Sequence, residues 1–223
     1  MKEIPILFNG AMVRAILAGQ KTQTRRLVKP MKSQQWLSEQ TLLKSPRAKP
    51  VMIKGAQWAQ FAHPLAGQTI NGLKHDDWSP LTCIRSPYGK PGDRLWVQEC
   101  LRPGKAHPEL MAYKADDALV DLETMHWPAS TEDHKAIPAK RMPRWACRLE
   151  LEVVSVRVER LQNISEADAQ AEGVKHCEHE LDGHGCCYAN SELFSILWSS
   201  IYGTDSYLAN PWVWVVEFKV VMP

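Results

Sequence analysis

Cys147-Arg148-Leu149-Glu150-Leu151-Glu152-Val153-Val154-Ser155-Val156-Arg157-Val158-Glu159-Arg160-Leu161 is the stretch on which the fold turns. Alternating apolar and charged residues mark a strand with one buried face. Cys147, Leu149, Leu151 and Val153 form a first apolar set, alternating with Arg148, Glu150 and Glu152. The phase then slips, and Val154, Val156 and Val158 become the apolar set. A one-residue slip inside a strand predicts a β-bulge or sharp bend, as barrels require. The predicted strand runs from Ala146 to about Leu161.

Working outward, Ser165-Glu166-Ala167-Asp168 carries a capping-box pattern that opens a helix, and Gly173 ends it. A second helix is expected over about 191–202, with Leu193, Phe194, Leu197, Trp198, Ile201 and Tyr202 as its stripe and Gly203 as its stop. The last strand, Trp212 to Val221, places Trp212, Trp214, Val216, Phe218 and Val220 on one strongly apolar face. Upstream, Pro91-Gly92-Asp93 is a turn before the strand Arg94 to Leu101. Its alternation puts Glu99 on the face of Leu95, Val97 and Leu101, where it is expected to reach water near the strand end. Residues 9–19 read as a short helix capped by Asn9 and closed by Gly19. Lys21 to Leu27 follows with strand-like spacing and dense positive charge.

Strands this far apart must pair to make one core. The pattern lacks strand–helix alternation, which excludes a doubly wound parallel sheet. An α+β fold is expected: a mixed β-barrel with packed helices, as a single domain over 1–223. Residues at about 29–90 are rich in Pro, Gly, Ser and Lys without a sustained period, and read as an insertion of loops and short elements.

Composition bounds the function. The chain has 223 residues, 44% hydrophobic and 23% charged, so it has the apolar content to fold. Its 27 Lys+Arg against 25 Asp+Glu exclude a strong whole-protein field for polyanions but not a local basic patch. No stretch approaches the roughly 20 apolar residues of a membrane helix. The start lacks a long apolar signal region, and the six cysteines are scattered. A reduced, cytoplasmic protein with no membrane partner and no cofactor is expected. Cys177, His179, His184, Cys186 and Cys187 lie close enough to suggest a zinc site, but their spacing fits no common finger. No metal enters the expected mechanism.

Four segments together resemble the ASCH family, whose domain has a PUA-like β-barrel fold. They are Ile16-Leu17-Ala18-Gly19-Gln20-Lys21-Thr22-Gln23-Thr24-Arg25-Arg26, Lys90 to Val97, Ile164 to Gly173, and Trp212 to Phe218. The likeness is greatest to longer phage and prophage members, which also carry a Met-Pro-Arg-Trp stretch, here Met142 to Trp145. The resemblance implies binding of RNA or nucleobase-containing ligands. A small bacterial branch is known for amidohydrolase activity on cytidine acylated at its exocyclic amine. Its Lys and Thr fall on Lys21 and Thr24, and its Glu on Glu172. The resemblance implies Thr as nucleophile, Lys as its activator and Glu as a proton-handling or orienting group. A non-catalytic RNA-binding module is the alternative.

The residues themselves set conditions on that chemistry. A threonine hydroxyl needs a base, and a lysine serves only if its ammonium is destabilised by burial or neighbouring positive charge. Arg25 and Arg26 are placed to supply that charge. In a straight strand Lys21 and Thr24 point to opposite faces, so residues 20–24 must turn or bulge. Glu172, in a helix's last turn, meets the negative end of the dipole at a cost of about 0.3–1 kcal/mol. Arg25, Arg26 and Arg144 are candidate phosphate or base contacts. Trp145, beside Arg144, either stacks on a base or anchors the strand. Among the nine tryptophans, Trp198, Trp212 and Trp214 are assigned to the core.

Overall fold

The computed structural model describes residues 1–29, 50–53, 58–61, 69–70, 73–74, 83–107, 110–120, 136–175 and 188–221. The expected 177–187 His/Cys loop, Trp36, Trp78 and Trp127 lie outside them.

The fold is α+β, built on a five-stranded mixed sheet. Strand β1 (Glu3–Leu7) leads into helix α1 (Gly10–Leu17) and strand β2 (Gln23–Leu27). Short strands β3 (Pro50–Ile53), β4 (Trp58–Phe61), β5 (Thr69–Ile70), β6 (Leu73–Lys74) and β7 (Cys83–Arg85) occupy the expected insertion. They form a three-stranded sheet, β3-β4-β7, and a two-stranded one, β5-β6. Then come β8 (Arg94–Gln98), β9 (Leu101–Pro103), β10 (Met111–Tyr113) and β11 (Glu150–Arg160). Helices α2 (Glu166–Ala171), α3 (Asn190–Tyr202) and α4 (Thr204–Leu208) precede the last strand, β12 (Trp212–Val221).

The strand order of the main sheet is β1-β8-β11-β12-β2. β1 pairs parallel to β8, and the other neighbours are antiparallel. The sheet is open: β1 and β2 are its edges, and among the described residues no ladder joins them into the expected closed barrel. A side chain spans the seam instead. Arg26 on β2 donates from Nη2 to Leu7 O on β1 at 2.7 Å, with its guanidinium 5.1 Å from the Phe8 ring centroid.

The phase slip is a bulge. Val153 faces Phe218 and Ser155 faces Glu217, so Val154 has no partner across the ladder. The sequence pattern places Val154 in the apolar set, but it is 49% exposed as the extra residue of the bulge, while Val153 and Val156 are buried. β12 also departs from expectation. Val213 and Val215 are buried as fully as Trp214 and Val216, because this strand lies inside the sheet with both faces covered. Trp198, Trp212 and Trp214 are buried in the main core.

Local signals set the helices. Asn9 Oδ1 accepts the Met12 N–H at 2.8 Å to start α1, and Gly19, at φ +69°, takes the left-handed conformation just after it. Ser165 Oγ accepts the Asp168 N–H at 3.1 Å to start α2. A second apolar cluster, with Leu101, Met111, Tyr113, Met142 and Ala146, sits beside the main core.

Glu99 does not reach water. It is 2% exposed, and Arg148 grips it with Nε on Oε1 at 2.9 Å and Nη2 on Oε2 at 2.7 Å. The apolar face on which its alternation places it is buried throughout, so the charge is met by an arginine rather than by solvent. Arg148 also holds Asp116 and lies 3.9 Å from the Tyr113 ring centroid.

Candidate functional site

The main sheet has two chemically different faces where β11, β12 and β2 adjoin. Residues directly opposite in a ladder share a face. Thr24, Val216 and Val156 therefore form one row, and Arg26, Trp214 and Val158 the next. This face is apolar and carries the main core, where Phe8 packs on Phe218 at 6.1 Å between centroids. On the other face Gln23, Glu217 and Ser155 form a row, followed by Arg25, Val215 and Arg157. That face is a charged network beneath α2 and α3.

Lys21 and Glu172 meet at the edge of this network. Lys21 Nζ donates to Glu172 Oε2 at 2.7 Å, to Glu172 O at 2.9 Å and to Gln23 O at 2.7 Å. These three oxygens match the three protons of an ammonium. The Nζ also lies 5.6 Å from the Phe8 ring centroid. Backbone geometry makes the meeting possible. Lys21 and Glu172 form an isolated antiparallel bridge, and Lys21 N donates to Ala15 O. Gly173, at φ +77°, lets α2 end against α1, because a Cβ there would lie 2.9 Å from Ala15 Cβ and 3.0 Å from Lys21 Cβ.

Arg25 ties Glu172 into the network. Its Nη1 reaches Gln23 Oε1 at 2.6 Å and Glu172 Oε1 at 3.4 Å, and its Nη2 reaches Glu159 Oε1 at 2.5 Å and Asp168 Oδ2 at 3.3 Å. Arg25 Nε is buried without a hydrogen-bond partner among the described residues. Arg157 joins Glu217, Asp168 and Glu159 at the more exposed end. Burial works to raise the Asp168 carboxyl, but the hydrogen bond from Gln23 and the charges of Arg25 and Arg157 outweigh it and hold the group below its ordinary value. Glu217 is lowered in the same way: burial is outweighed by Ser155, Arg157 and Gln23.

Of the expected catalytic residues, Lys21, Thr24 and Glu172 are 1%, 1% and 3% exposed. Lys21 and Glu172 are in direct contact. Thr24 sits one residue from Arg25 on β2 and takes the apolar face, opposite Arg25. Residues 20–22 precede the regular strand, so Lys21 turns its ammonium toward Glu172 before the alternation of β2 sets in. Of the expected binding residues, Arg25 serves the buried network and Arg26 the β1–β2 seam. Arg144 Nε donates to Glu3 Oε2 at 3.0 Å, its Nη2 holds Glu150, and its guanidinium lies over the Trp96 ring. Trp145 packs against the second apolar cluster.

The sequence pattern passes over Gln23, Glu159, Asp168, Glu217 and Arg157. Their signal lies in the alternation: after the bulge, Ser155, Arg157 and Glu159 repeat every second residue, matching Gln23 and Arg25 across β12. Among the described residues no group of three or more His, Cys, Asp or Glu is placed to hold a metal ion. Nor is any helix among them long and apolar enough to cross a membrane. Comparison with protein-family models, with curated proteins and with solved structures gives no match.

Proposed function

We propose that this chain is an ASCH-type, PUA-like protein that recognises a nucleobase and removes an acyl group from the exocyclic amine of cytidine. The observation that carries the reading is the contact between Lys21 and Glu172. They are 151 residues apart, meet at 2.7 Å in a buried setting, and have Thr24 buried on the adjoining strand. A buried ion pair joining two distant segments is costly to build, so it needs a reason. The PUA-like element rests on the seam, where Arg26 holds the two sheet edges together.

The chemistry follows from a proton that can move. A Lys–Glu pair converts to its neutral form when one proton passes from Nζ to Oε2. Attack by Thr24 Oγ on the acyl carbon requires the neutral amine to take the hydroxyl proton, so substrate binding must bring Thr24, on the apolar face, within reach of Lys21. The C–N bond breaks, the released exocyclic amine takes back a proton, and cytidine leaves. Water hydrolyses the resulting threonyl ester, releasing the carboxylic acid and restoring the hydroxyl.

A second reading, a non-catalytic RNA-binding module, is favoured by one feature of the same site. Lys21 Nζ already donates to three oxygens, as a purely architectural lysine would. One experiment separates the two. Incubated with cytidine acetylated on its exocyclic amine, the protein is expected to release cytidine, and Lys21→Ala, Thr24→Val and Glu172→Gln each to lose about 100-fold or more in rate. Wild-type release no faster than that of Lys21→Ala removes the catalytic reading. Salt-dependent RNA binding in that case establishes the second.

A further inference from the structure

The two carboxylate oxygens of Glu172 have separate partners. Oε2 accepts from Lys21 Nζ at 2.7 Å, and Oε1 faces Arg25 Nη1 at 3.4 Å. The oxygens of a carboxylate are chemically equivalent, so a lysine alone does not decide which of them it meets. Arg25 supplies the missing constraint. Its guanidinium is planar and always charged, and it occupies one oxygen while leaving the other to Nζ. Arg25 and Glu172 are both almost completely buried, so solvent does not compete for either contact.

Arg25 is itself fixed from four elements. Its Nη1 donates to Gln23 Oε1 on β2 at 2.6 Å. Its Nη2 donates to Glu159 Oε1 on β11 at 2.5 Å and to Asp168 Oδ2 on α2 at 3.3 Å. The guanidinium also lies 5.7 Å from the Phe194 ring centroid on α3. Gln23 links the two cations: its main-chain oxygen accepts from Lys21 Nζ at 2.7 Å while its side-chain oxygen accepts from Arg25. The Gln23 amide is locked in that sense, because its Nε2 donates to Asp168 Oδ1 at 3.2 Å and Glu217 Oε1 at 3.3 Å. Flipping it would set its oxygen against two carboxylates. The orientation leaves Arg25 Nε buried and unmet among the described residues. Such donors are rare in folded proteins, and this one is tolerated while both Nη atoms are aimed at oxygens.

We propose that Arg25 is a positioning residue for the Lys21–Glu172 pair: it selects Oε2 as the oxygen that faces Nζ, and Glu159, acting through Arg25, sets how firmly that choice is held. The positioning rests on this geometry alone, whereas its effect on rate rests on the catalytic reading above. A proton leaving Nζ has one carboxylate oxygen to reach, along a fixed line. Arg25 neither gives nor takes a proton. Removing the charge of Glu159 loosens Nη2, lets the guanidinium shift, and weakens its hold on Oε1.

The test follows the Lys21 ammonium of the full chain by proton–nitrogen NMR, its signal assigned by its loss in Lys21→Met. A buried ammonium held by three oxygens exchanges its protons slowly, and the wild type is expected to show that signal. Arg25→Lys keeps a positive charge and loses the fork, and is expected to speed the exchange about 10-fold or more. With cytidine acetylated on its exocyclic amine as substrate, it is expected to lower kcat about 10-fold or more while KM stays within about 2-fold. Glu159→Gln, at a half-buried position, is expected to move exchange and kcat the same way by less, and carries the test if Arg25→Lys does not fold. Glu217→Gln removes a carboxylate from the same network without touching Arg25, and is expected to change the exchange by less than about 2-fold. The inference is overturned if the wild-type signal is absent, or if exchange is unchanged in the folded Arg25 and Glu159 variants. It is overturned equally if Glu217→Gln changes exchange as much as Glu159→Gln. Exchange altered as expected with no turnover in the wild type removes the catalytic reading alone. Turnover with exchange unaltered removes the positioning alone.

Discussion

Among the described residues three carboxylates are almost completely buried: Asp93 caps backbone N–H groups of Lys2 and Lys90, while Glu99 and Glu172 face cations and are held in opposite ways. Glu99 is gripped by Arg148, which also meets Asp116 and stacks on Tyr113. Glu172 is held by Lys21 through one oxygen and by Arg25 through the other. An arginine does not give up its proton in a protein, so the cation that grips Glu99 is a fixed charge. A lysine can, so the Glu172 pair is the one whose charge can be rearranged by moving a single proton. The lesson concerns the partner rather than the burial. Equal burial makes one site a rivet and leaves the other open to chemistry.

The comparison breaks most decisively at Arg148. Arg148→Met leaves Glu99 buried with no opposite charge, and removing one partner of such a pair costs about 3–5 kcal/mol. Urea unfolding is expected to show a loss of that size. Lys21→Met is expected to cost less, about 1–3 kcal/mol, because Arg25 still faces Glu172 while two carbonyl oxygens lose their donor. A larger loss for Lys21→Met than for Arg148→Met would reverse the assignment of roles.

The next effect is on pH. Burial, against the lowering influence of Arg148, pushes the Tyr113 hydroxyl up to about 12. A group favouring its protonated form in the fold stabilises below its ordinary value of 10.0 and loses that contribution as pH rises toward 12. Thermal melts are expected to fall between pH 10 and 12, and Tyr113→Phe to flatten that fall. The acid side involves the other site. Asp168 and Glu217 are lowered, so their contribution is complete above the ordinary carboxylate range and is lost as pH drops through their folded values. Asp168→Asn is expected to lessen the acid loss of stability, a smaller change than either core variant, readable in Tm between pH 5 and 2.

Much of the scaffold is legible in the sequence because local physics writes it there. Asn9, Ser165, Gly19 and Gly203 mark helix ends by side-chain capping or left-handed backbone, and each stands at the end of a helix. The bulge at Val154 follows from the slipped alternation. What the alternation does not carry is sheet closure. Whether β1 meets β2 depends on long-range pairing, and the side chain of Arg26 stands where a ladder would be. The site is legible in part for the same reason. The approach of Lys21 to Glu172 depends on Gly173 allowing α2 to end against Ala15, a contact between segments that no local period encodes. The alternation of a single strand reveals the buried face of Glu99 but not the arginine, 49 residues later, that makes a charge tolerable there.

The bulge at Val154 also sets where the chain can change length. Val154 is the residue without a ladder partner, so a gene lacking that one codon keeps Val153 opposite Phe218 and Ser155 opposite Glu217. Strand faces survive, and only the local bend is lost. Removing the codon for Val156 instead turns Arg157 and Glu159 into the apolar core and breaks the charged network from the far end. The strand therefore has one position where a deletion is a matter of shape, bordered by positions where it is a matter of folding.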